Sequence, residues 1–337
     1  MRILVTGGAG FIGSHFVRAT LRGELPGSAG SEVTVLDKLT YSGNPANLAP
    51  VAGLAGYRFL HGDTCDPEVV DRAIAGHDAV VHFAAETHVD RSLFTADQFV
   101  RTNVLGTQTL LEAALRHGVR RFVHVSTDEV YGSIEQGSWT EQTPLSPNVP
   151  YAAAKAGSDV MALAYHRTFG LDVCVTRCTN NYGPYQFPEK LIPLFVTNLL
   201  DGLRVPLYGD GQNRRDWLHV ADHCRGIQLV LQGGRAGEVY HIGGGAELSN
   251  TELTGRLLEA CGAGWDVVDR VPDRQGHDRR YSLDTTKIIR ELGYRPRIAF
   301  EDGLAATVAW YRENRAWWEP LRERATARQR RPETTRG

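Results

Sequence analysis

The 337-residue chain has no apolar run near the ~20 residues that a membrane helix needs, so no membrane partner is expected. Charge of either sign is not in excess: Lys+Arg 37 against Asp+Glu 39 gives a formal net charge of -2, which argues against a polyanion-binding surface and a nucleic-acid partner. Five cysteines, at 65, 174, 178, 224 and 261, form no Cys-x-x-Cys pair, and the odd count argues against a disulfide framework. They read as small core residues. No internal repeat is visible, and no metal site is expected. Met1 leads almost at once into an apolar strand, with no room for a signal sequence, so a cytoplasmic location is expected. The composition, 42% hydrophobic and 23% charged, suits one large domain or two.

The strand pattern Arg2 to Thr6 runs directly into Gly7-Gly8-Ala9-Gly10-Phe11-Ile12-Gly13, which opens an amphipathic segment reaching about Arg22. Glycines at 7, 10 and 13 predict a tight turn, backbone access to a pyrophosphate at the positive end of a helix, and close packing of helix on strand. A second strand, Glu32 to Leu36, ends on Asp37, which can bind both ribose hydroxyls of a dinucleotide and repel the extra phosphate of NADP. Lys38 beside it weakens that repulsion, and NAD remains the favoured cofactor.

Strand and helix patterns then alternate. Strands are predicted at Tyr57 to Gly62, within Ala79 to Ala85, at Arg121 to Ser126 and at Asp172 to Thr176. Helices are predicted at about Pro67 to Ala75, as one long element over Ala96 to His117, and after Pro150. This is an α/β pattern, a doubly wound (Rossmann) parallel sheet over residues 1–180. Residues 181–324 predict a smaller C-terminal α/β domain for substrate, with some interleaving of the chain, and 325–337 a disordered tail. Arg215-Asp216-Trp217 reads as an interrupted turn, its guanidinium fork suited to a diphosphate.

Tyr151 and Lys155, in Tyr-Ala-Ala-Ala-Lys, fall on one helical face, where the ammonium can lower the phenol's pKa toward that of a useful base. A tyrosinate there can take a proton from a sugar hydroxyl. Upstream, Asp128 and Glu129 stand in Ser-Thr-Asp-Glu-Val-Tyr-Gly, at the end of a predicted strand, where doubly wound folds place their ligands. Oxidation of a hydroxyl needs no second acid and base. Elimination of water does.

These residues resemble the extended short-chain dehydrogenases/reductases, and within them the dTDP-glucose 4,6-dehydratase family. The resemblance runs from Met1 to about Pro320. It rests on the glycine string, His88-Val89-Asp90-Arg91-Ser92, the Ser126 to Gly132 run, Tyr151 to Lys155, Asn180 to Tyr185 with Pro188-Glu189-Lys190, Pro206-Leu207-Tyr208-Gly209, Arg215-Asp216-Trp217 and Gly276-His277-Asp278-Arg279. It implies tightly held NAD on Gly7, Gly10, Phe11, Ile12, Gly13, Asp37, Lys38, Leu39, Thr40, Asp63, Thr64, Phe83, Ala84, Ala85, Thr102, Tyr151, Lys155 and Asn181. It further implies a sugar nucleotide on Thr87, Thr127, Asn180, Glu189, Lys190, Pro206, Leu207, Tyr208, Arg215, Asn250 and Asp273, Arg274, Gln275, Gly276 and His277. Thr87, Thr64 and Ala154 depart from the residues usual in relatives.

By the same resemblance Tyr151, helped by Lys155 and Thr127, removes the 4-hydroxyl proton as hydride leaves carbon 4. Glu129 then takes the carbon-5 proton, Asp128 protonates the departing 6-hydroxyl, and hydride returns to carbon 6. The implied reaction turns dTDP-glucose into dTDP-4-keto-6-deoxyglucose and water, in a homodimer paired through helices. Two alternatives stay open from the residues: a nucleotide-sugar 4-epimerase, which uses the same tyrosine and lysine without losing water, and a catalytically silent NAD-binding regulator.

Overall fold

The computed structural model describes residues 1–329, with side chains through Arg322. Its strands are β1 (Arg2–Thr6), β2 (Glu32–Asp37), β3 (Tyr57–His61), β4 (Ala79–His82), β5 (Arg121–Thr127), β6 (Val173–Cys178), β7 (Asn180–Tyr182), β8 (Val205–Tyr208), β9 (Arg214–His219), β10 (Val239–Ile242), β11 (Glu247–Ser249) and β12 (Val268–Val271). The helices are α1 (Phe11–Leu21), α2 (Pro67–Ile74), α3 (Val89–Ser92), α4 (Ala96–Phe99), α5 (Gly106–Arg116), α6 (Pro150–Phe169), α7 (Leu191–Leu200), α8 (Val220–Gly233), α9 (Asn250–Cys261), α10 (Thr286–Leu292), α11 (Phe300–Glu313) and α12 (Arg315–Gln329).

Seven strands form one sheet in the order β10-β6-β5-β4-β1-β2-β3, and every pairing in it is parallel. Strands buried on both faces carry unbroken apolar runs, as in Val80-Val81 of β4 and Val173 to Val175 of β6. One face packs against α1 and α8 through Phe16, Val17, Ile227 and Val230. The other packs against α2, α5 and α6 through Val70, Leu110, Leu111 and Ala162. Chain order reverses between β1 and β4, and their carboxyl ends open the crevice where such sheets bind ligands.

A third core lies away from the sheet, where Phe195 of α7, Leu257 of α9, Trp217 of β9 and Tyr311 of α11 meet. Two small sheets, β11-β9-β7 and β12-β8, border it. From the second half of the chain, α8 and β10 return to the large sheet.

Three readings need correction or completion. The long helix foreseen over 96–117 is broken by a π-helical stretch, Val100–Leu105, between α4 and α5. Arg215-Asp216-Trp217 is strand, not turn; β9 pairs with both β7 and β11, and burial of four successive residues holds it extended. Of the foreseen tail, 325–329 belong to α12. Residues 330–337 lie outside the described residues.

Candidate active site

The turn after β1 requires bare backbone. Gly7 has φ +69°, and a Cβ there would stand 2.6 Å from the Ala84 amide nitrogen. One at Gly13 would lie 2.4 Å from the Gly7 carbonyl oxygen, so only glycine lets α1 start this close to the strand. The Asp37 carboxylate, at the end of β2, accepts from the Ala9 amide (2.9 Å) and the Leu39 amide (2.8 Å). Burial raises its pKa and these two amides oppose the rise. Lys38 points elsewhere, its ammonium 2.7 Å from Asp63, so its charge is neutralised away from Asp37.

Where β5 ends, the Thr127 hydroxyl accepts from the Glu129 amide at 3.2 Å, turning the chain sharply and lifting Asp128 and Glu129 above the sheet. Gly132, at φ +82°, closes that turn; a Cβ there would meet the Ser146 carbonyl at 2.4 Å. Pro150 opens α6 at its first turn, where a missing N–H is harmless. Tyr151 and Lys155 are both buried in the result.

The electrostatics separate the two carboxyls. Burial, then the charge of Glu129, holds Asp128 well above the usual carboxylate range. Thr127 donates to its Oδ1 at 3.1 Å, while its buried Oδ2 has no partner. Burial also raises Glu129, but Arg274, Lys190 and Arg215 pull it back. Both carboxyls are thus held above their ordinary values, Asp128 the further of the two.

Tyr151 departs from expectation. Burial and then Glu129 hold its phenol well above its ordinary value, opposed by a hydrogen bond with Thr127. Lys155 does not depress it here, because the ammonium donates to the Val125 carbonyl at 2.7 Å and is itself pushed down to about 8 by burial.

One cavity gathers most of the residues named from the sequence. Its wall includes Gly7, Gly10, Phe11, Ile12, Gly13, Asp37, Lys38, Thr40, Asp63, Thr64, Phe83, Ala84, Ala85, Thr102, Tyr151, Lys155 and Asn181, together with Thr87, Thr127, Asp128, Glu129, Asn180, Glu189 and Lys190. Leu39 lines a neighbouring cavity beside Tyr41 and Arg91 instead. Pro206, Leu207, Tyr208, Arg215, Asn250 and Asp273 to His277 stand outside this wall. They form a second group: Tyr208 and His277 rings lie 6.5 Å apart, and His277 pairs with Asp273 at 2.6 Å. Arg215 is not a free fork, since it donates to the Arg214 and Asp278 carbonyls (2.7 and 2.8 Å) and its guanidinium carbon lies 4.0 Å from the centre of the Tyr281 ring.

Sequence reasoning missed Ser126, Cys178, Gln186 and Phe187, all in the cavity wall. Gln186 and Phe187 sit between two motifs that had been read, Asn180 to Tyr185 and Pro188 to Lys190, and that position was the available signal. The π-helical stretch was missed too. It presents Thr102 to the cavity and lets Asn103 bind the Glu86 amide at 2.8 Å.

Residues 4–307 match the family model described as GDP-mannose 4,6 dehydratase. A dTDP-glucose 4,6-dehydratase of Streptomyces niveus is 73% identical over 322 residues, 96% of each chain. A crystal structure of DesIV, a dTDP-glucose 4,6-dehydratase from Streptomyces venezuelae with NAD and TYD bound, is 68% identical, covers 95% of this chain and 100% of that one, and superposes with TM-score 0.94. A UDP-glucose 4-epimerase from Thermotoga maritima, crystallised with UDP-glucose, shares 33% identity at TM-score 0.86, covering 93% and 99%.

Proposed function

The chain belongs to the dTDP-glucose 4,6-dehydratase family, and from that premise we propose that it is an NAD-dependent lyase converting dTDP-glucose to dTDP-4-keto-6-deoxyglucose and water. The cavity suits NAD: three glycines leave its turn bare, the start of α1 faces it, and Asp37 closes it at the ribose end. Gly7, Gly10 to Gly13, Asp37, Asp63, Thr64, Phe83 to Ala85, Thr102 and Asn181 would hold the cofactor. When bound, NAD supplies the hydride chemistry, oxidising carbon 4 of the glucose and afterwards reducing carbon 6.

Tyr151 receives the proton of the 4-hydroxyl, with Thr127 bonded to it. Its phenol has to become more acidic for that role, and Lys155, on the same helical face, is the cation placed to do it. Glu129 takes the proton from carbon 5, which the ketone at carbon 4 has made acidic. Asp128 delivers its proton to the 6-hydroxyl as water leaves. Glu189 and Lys190 face the sugar from the opposite wall, while Tyr208, Arg215, Asn250 and Asp273 to His277 form the nucleotide end, with residues 181–324 mainly serving the substrate.

The observation that carries this reading is the carboxyl pair set beside Tyr151 in one cavity wall, Asp128 held well above the usual range and Glu129 raised less because Arg274, Lys190 and Arg215 oppose the rise. Epimerisation has no use for it. Incubation with a panel of nucleoside-diphosphate glucoses, followed by mass spectrometry, tests it: dTDP-glucose should lose one water, and an isomer of unchanged mass would point to a 4-epimerase instead.

The working form we infer is a homodimer in the cytoplasm. Val100 and Leu105 on the π-helical stretch and Val160 and Phe169 on α6 are exposed apolar residues, suited to pairing helices across a two-fold axis. No helix among the described residues is long and apolar enough to cross a membrane.

A further inference from the structure

Behind the cavity the chain makes a connection that the reaction itself does not require. Asn47, buried beside α1, donates its amide to the Ala9 carbonyl of the glycine-rich turn at 2.9 Å. Its Oδ1 accepts from the Trp317 indole N–H, also at 2.9 Å, and Trp317 belongs to α12. A residue of the cofactor turn is therefore two hydrogen bonds from the last described helix.

That helix, together with α11 before it, also holds the loop opposite. Tyr185 has φ +69°, a conformation that a non-glycine residue keeps only when its surroundings impose it. Its ring is gripped between the Arg18 guanidinium, 4.2 Å from its centroid, and Trp310 at 4.5 Å, with Trp317 at 5.5 Å. Arg18 in turn donates to the Asn47 carbonyl. The Tyr311 hydroxyl donates to the Gln186 carbonyl, and Phe187 packs on Trp317. The loop so clamped continues into Glu189 and Lys190 in the cavity wall.

We propose that Trp317, through Asn47, is a positioning residue that locks the glycine-rich turn to the 185–190 loop, so that retention of NAD and seating of the sugar depend on one shared bond. The inference rests on the cavity's reading as the NAD and dTDP-glucose site. Neither Trp317 nor Asn47 lines that cavity, so direct contact with either ligand is not involved.

The test uses the full-length holoenzyme. Trp317→Phe keeps an aromatic ring against Tyr185 and Phe187 but removes the N–H; Asn47→Ala removes that bond and the Asn47–Ala9 bond together. Trp318→Phe is the control, since Trp318 is fully buried and its indole donates to the Tyr311 carbonyl at 2.7 Å, away from Asn47. Loss of one such hydrogen bond corresponds to about a tenfold change, so Trp317→Phe should release NAD about tenfold faster on gel filtration, and Asn47→Ala, which loses two, at least as fast. Each should also raise KM for dTDP-glucose with little change in kcat. Trp318→Phe should lower the melting temperature and leave NAD release alone. Release of NAD at the wild-type rate by Trp317→Phe overturns the proposal, as does equally fast release by Trp318→Phe. Should Trp317→Phe fail to fold, Trp317→Leu, which also lacks the N–H, takes its place. Wild-type enzyme assayed beside them checks the function separately, because NAD content and dehydration by the wild type do not depend on this bond's role.

Discussion

Asp128→Asn should make the protein more stable and nearly inactive in the same stroke. Asp128 is 2% exposed, and burial with the neighbouring Glu129 holds its pKa well above 3.8. A carboxyl whose folded pKa is raised contributes its full stability below the unfolded value and loses it as pH climbs toward the folded one. At neutral pH the unfolded chain is therefore favoured by about 1.4 kcal/mol for each unit of that rise. Asparagine has the same shape, still accepts from Thr127 through Oδ1, and replaces the carboxyl O–H with an N–H, so the unmet donor is common to both. It never ionises. Each unit of the rise is then a gain of about 1.4 kcal/mol, on the order of 2 °C in melting temperature for a chain this size. The gain should be present at pH 7 and shrink toward nothing only as pH falls below 3.8, where Asp128 is protonated in the folded and the unfolded chain alike. Without the acid, loss of water should slow by roughly 10²- to 10⁴-fold, the usual contribution of general acid catalysis. Thermal melts from pH 7 down to 3, beside mass spectrometry of the sugar nucleotide, read both effects. The reasoning is wrong if Asp128→Asn is no more stable at pH 7, if its advantage is undiminished at pH 3, or if dehydration runs at the wild-type rate.

Three further outcomes follow from the same geometry. Product made in D₂O by the wild type should carry deuterium at carbon 5, and Glu129→Gln should abolish that exchange, because an amide cannot accept the proton; label at carbon 5 in the variant, seen by NMR, would remove Glu129 as the base. Asp159→Asn should cost about 3 to 5 kcal/mol at neutral pH by stranding the buried Arg177, now 2.9 Å away. Since Arg177 is the main charge drawing the Asp159 pKa from 3.8 down to about 2, the deficit should fade as pH falls through that window, and a deficit constant with pH in urea titrations would contradict the assignment. Val160→Asp, on the exposed side of α6, should shift sedimentation at micromolar concentration from dimer to monomer, and an unchanged dimer would mean that pairing uses another face.

Local spacing explains which parts were readable. The β1 turn, Asp37, and the Tyr151 to Lys155 helix are each written in fewer than a dozen consecutive residues, so periodicity and glycine placement were enough. What Tyr151 feels was not readable, because burial and the approach of Glu129 come from tertiary packing, and Lys155 spends its ammonium on the Val125 carbonyl of a different element. Arg215 misled as a turn residue because its strand is held by partners on either side, β7 and β11, that are only three residues long and have no pattern of their own. The π-helical stretch looks like plain helix in sequence, since one extra residue per turn leaves no compositional mark. Trp310, Tyr311 and Trp317 lie far along the chain from the loop they clamp, and no motif connects them to it.

The last strand of the main sheet, β10, has a consequence for how the protein is made. When a ribosome has delivered the chain only as far as Cys178, β6 is an edge that opens on an apolar run, Val173 to Val175, and whose backbone amides and carbonyls have no neighbour on one side. Its partner Val239–Ile242 follows about sixty residues later, roughly 3 to 12 seconds at ordinary rates of synthesis. For that interval the nascent chain displays an open strand edge, apolar at its start although not at Arg177, of the kind that recruits other strands. A fragment ending near residue 180 keeps that display permanently, and should be recovered as aggregate where the complete chain is soluble.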